Sequence, residues 1–144
     1  MQEDIFCNFM NMKDNFSEKS NNYALYRPGY PQELFDFIKA LLKNKRRAWD
    51  CGTGNGQVAA ILADFMEEVY ATDISAAQLE QATEKRNIRY SKQPAENTNF
   101  PDDFFDLVTV AQAIHWFDFS KFYKEVKRVL KPSGYIAVLG YRLF

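Results

Sequence analysis

Apolar residues recur along the chain with two different spacings, and the two spacings alternate. Residues 31–42 carry apolar side chains three and four positions apart, as one face of an amphipathic helix requires. Residues 46–51 then predict a short strand, a glycine-rich segment follows, and residues 58–65 return to helical spacing. This succession predicts a helix, a strand, a loop and a second helix.

The same alternation continues toward the end of the chain. A further helix begins at Ser75, because Gln78 lies at the capping-box spacing from it. A Lys-Pro-Ser-Gly segment at 131–134 is typical of a helix stop followed by a turn. The remaining predicted elements are strands over 68–72, 88–92, 106–111 and 135–141, and a helix over 120–130.

Strands that alternate with helices predict an α/β fold with a doubly wound, mostly parallel sheet. We expect one domain over residues 1–144, with an N-terminal segment over 1–30 and the core over 31–144. In such sheets, ligands bind outside the carboxyl ends of the strands, near the point where the strand order reverses. The first core strand delivers the glycine-rich segment to that place.

Composition narrows the class of partner. The 144 residues are 47% hydrophobic, enough for one core, and the net charge of -1 gives no electrostatic footprint for nucleic acid. No apolar run predicts a membrane span, and no secretory leader is visible, so we expect a cytoplasmic protein with a small-molecule partner. Cys7 and Cys51 have no metal-ligand spacing, and we expect two thiols and no metal.

The segment from Asp50 to Gln57 carries the strongest chemical signal. Glycines at 52, 54 and 56 indicate a nucleotide-type cofactor loop, because glycine accepts positive φ and lets a ligand approach the backbone. A dinucleotide loop would have its third glycine one position later, at Gln57. Asp50 would repel a pyrophosphate but attract an ammonium or a sulfonium. Asp73 ends the second core strand, where an acid can accept hydrogen bonds from ribose hydroxyls.

Together these residues resemble the class I S-adenosylmethionine-dependent methyltransferases. The segments that carry the resemblance are Asp50–Gly56, Asp73 and Ala111–Phe117. More narrowly, the chain is similar to the branch called methyltransferase type 11, which includes trans-aconitate methyltransferase-like proteins, through Tyr23–Pro31, His115–Asp118 and Val129–Tyr135. The resemblance runs from Asn15 onward and implies a Rossmann-like sheet with core strand order 3-2-1-4-5 and S-adenosylmethionine as the cofactor.

The resemblance also implies roles for individual residues. Gly52 and Gly54 would pack against the methionine part of the cofactor, and Asp50 would orient its ammonium. Asp73 would hold the ribose, and Ile74 would lie against the adenine ring. The other implied cofactor contacts are Ala95 and Glu96 at the adenine edge, Gln112 and Ala113 beneath the sulfonium, and Tyr23 with Arg27 in a lid that precedes the first core helix.

Three residues are candidates for acceptor binding or catalysis. His115 could act as general base for a hydroxyl, could bind a carboxylate as imidazolium, or could simply pack. Trp116, with Phe117, could form an aromatic wall near the sulfonium or belong to the core. Arg27 could pair with a cofactor or acceptor carboxylate, or lie at the surface. The predicted reaction is methyl transfer to a small molecule, with carboxylates among the candidate acceptors.

The chain also departs from the family it resembles. Family members continue past the fifth core strand with two more strands, whereas this chain ends at Phe144. We therefore expect a truncated form whose strand over 135–141 is an open apolar edge, through which the protein could self-associate. Two other functions remain open, namely a non-catalytic S-adenosylmethionine-binding module and an NAD-dependent oxidoreductase.

Overall fold

The computed structural model describes residues 3–8, 30–111 and 117–140. Its described strands form one parallel sheet: β1 (Glu3–Asn8), β2 (Arg47–Cys51), β3 (Glu68–Asp73), β4 (Ile88–Lys92), β5 (Phe105–Ala111) and β6 (Leu130–Gly140). The order across the sheet is β1-β6-β5-β2-β3-β4. Counted from β2, the five core strands have the order 3-2-1-4-5, as predicted.

Four described helices connect these strands: α1 (Gln32–Leu41), α2 (Gln57–Leu62), α3 (Ala76–Glu80) and α4 (Phe119–Val129). Burial of one face confirms the predicted amphipathic helices: Leu34 and Ile38 are buried in α1, and Phe122 and Val126 are buried in α4. The Ser75 hydroxyl accepts a hydrogen bond from the Gln78 N–H at 3.2 Å, which confirms the predicted start of α3.

The core divides into two clusters. One contains the buried side chains of α1 and α2, and the other contains those of α4 with the aromatic residues around Trp49. The Trp49 ring lies 5.6 Å from that of Phe100 and 6.2 Å from that of Phe122, in edge-to-face contacts. Its indole N–H donates to the Thr72 hydroxyl at 2.9 Å. Aromatic contacts and one hydrogen bond therefore together hold the Trp49 ring.

Residues 131–134 differ from their prediction. The helix ends as expected at Val129, but the following residues lie within β6 and form no separate turn. Phe105 pairs with Leu130 and Leu107 with Tyr135, so two steps along β5 correspond to five along β6. Proline and glycine are typical of such a β-bulge as well as of a turn, and here they make the bulge.

The expectation of an open edge on β6 is wrong in the described residues. The strand β1 pairs with β6 in parallel over six positions, from Glu3 with Tyr135 to Asn8 with Gly140. Residues 3–8 belong to the segment 1–30 that is predicted to form a lid, but their backbone lies in the sheet, where it satisfies the edge groups of β6. An open edge therefore does not support self-association, and the oligomeric state stays a prediction.

Candidate functional site

The loop between β2 and α2 has a backbone that requires glycine. Gly52, Gly54 and Gly56 have φ angles of 65°, 60° and 83°, a region that residues with a Cβ rarely adopt. The loop begins at the carboxyl end of a central strand and ends at the first turn of a helix. Its three glycines therefore serve one compact conformation, at the edge of the sheet where the sequence predicted a ligand.

The end of β3 holds this loop in place. The Gly54 N–H donates to Asp73 Oδ2 at 2.8 Å, and the Thr53 N–H donates to the Thr72 carbonyl at 2.8 Å. The other oxygen of Asp73, Oδ1, accepts from the Ser75 N–H at 2.9 Å. Because each carboxylate oxygen can accept more than one hydrogen bond, half-buried Asp73 is oriented by the protein and still has acceptor capacity for a ligand.

Asp50 lies beneath the loop. Its side chain is buried, and its two oxygens accept from the Thr53 hydroxyl at 2.6 Å and from the Thr109 hydroxyl at 2.7 Å. Burial raises the pKa of Asp50 to about 6, although the hydrogen bonds from these threonines and from the Ala59 N–H act in the opposite direction. The carboxyl thus ties together β2, the loop, α2 and β5, and its predicted contact with an ammonium stays a prediction.

Three acidic side chains surround the end of β2. Burial raises the pKa of the Cys51 thiol well above its usual value, and the charges of Asp50, Glu96 and Asp73 raise it further. These charges come from three different strand ends, and their sign favours a positively charged ligand over a phosphate. Cys51 itself is a buried free thiol.

The residues predicted for the adenine differ in exposure. Ile74, directly after Asp73, leaves 71% of its surface exposed, which is unusual for a large aliphatic side chain beside a polar loop. Ala95 is buried and Glu96 is half-buried in the turn after β4. The structure thus brings the residues predicted after β2, β3 and β4 to one edge of the sheet: Asp50, Gly52, Gly54, Asp73, Ile74, Ala95 and Glu96.

Six predicted site residues lie outside the described residues, and their roles stay predictions. They are Tyr23, Arg27, Gln112, Ala113, His115 and Trp116. Within the described ranges, no group of histidine, cysteine and acidic side chains is arranged to hold a metal ion. No helix in the described part of the chain has both the length and the apolar character needed to cross a membrane.

Sequence reasoning missed several residues that shape the loop. Thr109 could have been noticed as a hydroxyl in the middle of a strand that is otherwise apolar on both faces. Thr83 and Tyr90 contact the loop at Asn55 and Gly56, and no local pattern in the sequence indicates these contacts. The Asn55 side-chain oxygen Oδ1 is buried and has no hydrogen-bond partner among the described residues, so the loop has acceptor capacity that the protein itself does not satisfy.

A family model described as a methyltransferase domain matches residues 49–138, from the strand before the loop to the end of β6. The chain belongs to the methyltransferase domain family. Its fold and sequence motifs are those of the class I methyltransferase family, which implies S-adenosylmethionine as the methyl donor.

Curated relatives of the methyltransferase domain come from distant organisms. A Dictyostelium discoideum protein named as a methyltransferase is 37% identical over 131 residues, which are 90% of this chain and 50% of the relative. A Saccharomyces cerevisiae protein named as an S-adenosylmethionine-dependent methyltransferase is 29% identical over 132 residues, or 85% of this chain and 45% of the relative. The chain therefore spans about half the length of these curated relatives.

A solved structure agrees with the architecture of the methyltransferase domain. A protein from Anaeromyxobacter dehalogenans, described as a type II methyltransferase, superimposes with a TM-score of 0.78 and 39% sequence identity. The match covers 82% of this chain and 50% of the other. The correspondence extends to the order of the five core strands, and in such sheets the reversal of strand order marks the edge where ligands usually bind.

Proposed function

We propose that this methyltransferase domain binds S-adenosylmethionine across the carboxyl ends of β2, β3 and β4, and that the full-length protein transfers its methyl group to a small molecule. The observation that carries the proposal is the hydrogen bond from the Gly54 N–H to Asp73, within a loop that needs three glycines of positive φ. It places a rigid glycine backbone beside an oriented carboxylate, the combination that a nucleoside with an attached amino acid would require.

The proposed contacts follow the shape of this site. Asp73 would accept hydrogen bonds from the ribose hydroxyls, since its two oxygens are already held by Gly54 and Ser75. The exposed side chain of Ile74 would be covered by the adenine ring, which removes apolar surface from water. Glu96 would border the adenine edge, with Ala95 behind it.

Charge favours a sulfonium cofactor over a nicotinamide dinucleotide. Asp50, Asp73 and Glu96 all act on the end of β2, where a dinucleotide would place its pyrophosphate. A ligand with an ammonium and a sulfonium reduces the repulsion among these acids instead. An NAD-dependent oxidoreductase is therefore the less favoured function at this loop.

Methyl transfer requires the acceptor in line with the bond that breaks, so the chain would contribute mainly orientation and exclusion of water. The bound cofactor supplies the methyl group. Arg27, His115 and Trp116 remain our candidates for holding the acceptor, and a small carboxylate would suit the first two. We propose no nucleic-acid acceptor, since the net charge of -1 provides no attraction to a phosphate backbone.

Calorimetry with S-adenosylmethionine, S-adenosylhomocysteine and NAD tests this function. We expect the two sulfur nucleosides to bind and NAD to bind far more weakly. Asp73→Ala should weaken binding by ~1–3 kcal/mol, because the ribose loses a charged acceptor. Asp102→Ala is the matched control, since Asp102 is an exposed carboxylate paired with Arg128 on the surface.

Two outcomes would contradict the proposal. Binding of NAD alone would favour the oxidoreductase, and unchanged affinity in Asp73→Ala would remove this residue from the site. Methylation of a panel of small acceptors by the full-length protein then separates an enzyme from a binding module. Cofactor binding without transfer to any acceptor would favour the module.

A further inference from the structure

The glycine loop has a second set of attachments besides Asp73, at Asn55 and Gly56. A Cβ at position 56 would overlap the Tyr90 hydroxyl oxygen and come within 3.1 Å of the Cζ atom and 3.2 Å of the Cε1 atom of the same ring. The Tyr90 ring, which comes from the edge strand β4, therefore lies directly against the Gly56 backbone. Gly56 is glycine for two reasons, its φ of 83° and this close approach.

The hydroxyl of Tyr90 extends the contact to a neighbouring segment. It donates a hydrogen bond to the Thr83 carbonyl, and the Thr83 N–H donates to the Asn55 carbonyl at 3.1 Å. Tyr90 thus contacts Gly56 through its ring and reaches Asn55 through Thr83. Burial, followed by the charges of Asp50 and Glu84, raises the pKa of the phenol, so the hydroxyl stays protonated and available as a donor.

Each half of the loop is therefore fixed by a different strand. Asp73 of β3 holds the first half, at Gly54, and faces the proposed ribose site. Tyr90 and Thr83 hold the second half, at Asn55 and Gly56, two residues to which no proposed ribose contact is assigned. Loss of the second attachment would let the loop relax without removing any proposed ligand contact.

We propose that Tyr90 is a positioning residue, whose ring and hydroxyl set the conformation of the glycine loop and thereby its affinity for the amino-acid half of the cofactor. The inference rests on the proposed function, because it assumes that the loop backbone faces the methionine part. Ribose and adenine contacts come from Asp73, Ile74 and Glu96, which Tyr90 does not hold. Its effect should therefore depend on which half of the cofactor a ligand contains.

Tyr90→Phe tests this role, because it keeps the ring against Gly56 and removes only the hydroxyl. The Tyr90–Thr83 hydrogen bond is exposed, so water can replace the lost donor and the fold should remain intact. We expect S-adenosylhomocysteine to bind about 3- to 10-fold more weakly, the value of one hydrogen bond expressed as affinity. 5′-Methylthioadenosine lacks the amino-acid half, and its affinity should change by less than about twofold.

Tyr70→Phe is the matched control. Tyr70 lies on the neighbouring strand β3, and its hydroxyl donates a hydrogen bond to Glu68 at 3.4 Å, away from the glycine loop. This variant should leave both affinities unchanged. Hydrogen exchange provides a readout that needs no ligand: the Thr83 amide should exchange faster in Tyr90→Phe than in Tyr70→Phe, while amides of β5 stay equally protected.

The outcomes separate this inference from the proposed function. Equal weakening of both ligands in Tyr90→Phe, or no weakening, would overturn the positioning role while leaving cofactor binding established. Failure of the unmodified protein to bind S-adenosylhomocysteine would overturn the proposed function, and the inference with it. Unchanged exchange at Thr83 would show that the hydroxyl does not hold the loop.

Discussion

Asp50 is fully buried, and its neighbours in the described part of the chain supply hydrogen bonds but no positive charge. Thr53 and Thr109 donate to its two oxygens, and burial still raises its pKa to about 6 from 3.8. The native state therefore binds the Asp50 proton more tightly than the unfolded chain does. Its contribution to stability is greatest below pH 4 and is lost as the pH rises through 6.

Asp50 should make the protein more stable at acidic pH, which is opposite to ordinary acid denaturation. Between about pH 4 and pH 6, ionisation of Asp50 should lower the free energy of unfolding by roughly 3 kcal/mol, from a pKa difference of about two units. Asp50→Asn should remove this component, because the amide is neutral throughout. Urea unfolding of both proteins at several pH values, compared as a difference, measures it.

Comparison with Asp50→Asn is needed because other carboxyl groups contribute stability with the opposite pH dependence. Burial alone would raise the pKa of Glu125, but hydrogen bonds from Arg128 and Thr98 and the charge of Arg128 outweigh it and lower this pKa. The contribution of Glu125 to stability is therefore lost as the pH falls. The exposed Asp36→Asn variant is the control and should keep the pH profile of the unmodified protein. Parallel curves for Asp50→Asn and the unmodified protein would contradict the assignment.

At the scale of elements, the sequence predicted regular pieces well and irregular ones poorly. The apolar spacing of α1 and α4 and the apolar run of β5 determine their structure locally, because burial of one face is sufficient. Residues 131–134 have a composition that suits both a turn and a bulge, and only pairing with β5 decides between them. Pairing of β1 with β6 likewise depends on a partner more than 120 residues away.

The bulge in β6 predicts different effects for two glycines of the same strand. A Cβ at Gly134 would lie 2.5 Å from Leu130 Cδ1 and 3.1 Å from the Asp106 carbonyl oxygen, whereas a Cβ at Gly140 would have no neighbour within 4 Å. Gly134→Ala should therefore destabilise the protein by ~1–3 kcal/mol through overpacking. Gly140→Ala should stay within about 0.5 kcal/mol of the unmodified protein. Thermal unfolding compares the two, and equal midpoints would contradict the tight packing at Gly134.

At the scale of the whole molecule, the sequence predicted which edge of the sheet carries the glycine loop but could not specify how the loop is held. Asp50, Gly54 and Asp73 could be proposed as site residues because their residue types and spacing have a local chemical meaning. The contacts of Thr109 and Tyr90 depend on which strands lie beside β2 and β3, and that neighbour relation appears only in the folded sheet. Tertiary contacts therefore supply the part of the site that one sequence could not reveal.

The pairing of β1 predicts a consequence for the assembled sheet. Deleting residues 1–8 should expose the backbone of β6, lower the free energy of unfolding by at least ~1 kcal/mol and increase self-association. Light scattering and thermal unfolding measure the two effects. Substituting Glu3→Gln and Asp4→Asn is the control, since it preserves the backbone pairing. A deletion variant with the size and midpoint of the intact chain would show that β1 contributes nothing to the edge.

The attachments of the glycine loop differ in the length of chain that separates their partners, which affects the order in which they can form. Gly54 and Asp73 are 19 residues apart, whereas Asp50 and Thr109 are separated by 59. Contacts between near neighbours in the chain carry the smaller loop-closure entropy. The stretch from β2 to β4 contains both Asp73 and Tyr90, so during folding these two attachments can form before β5 joins the sheet. The Thr109 hydroxyl can donate to Asp50 only after β5 has paired with β2.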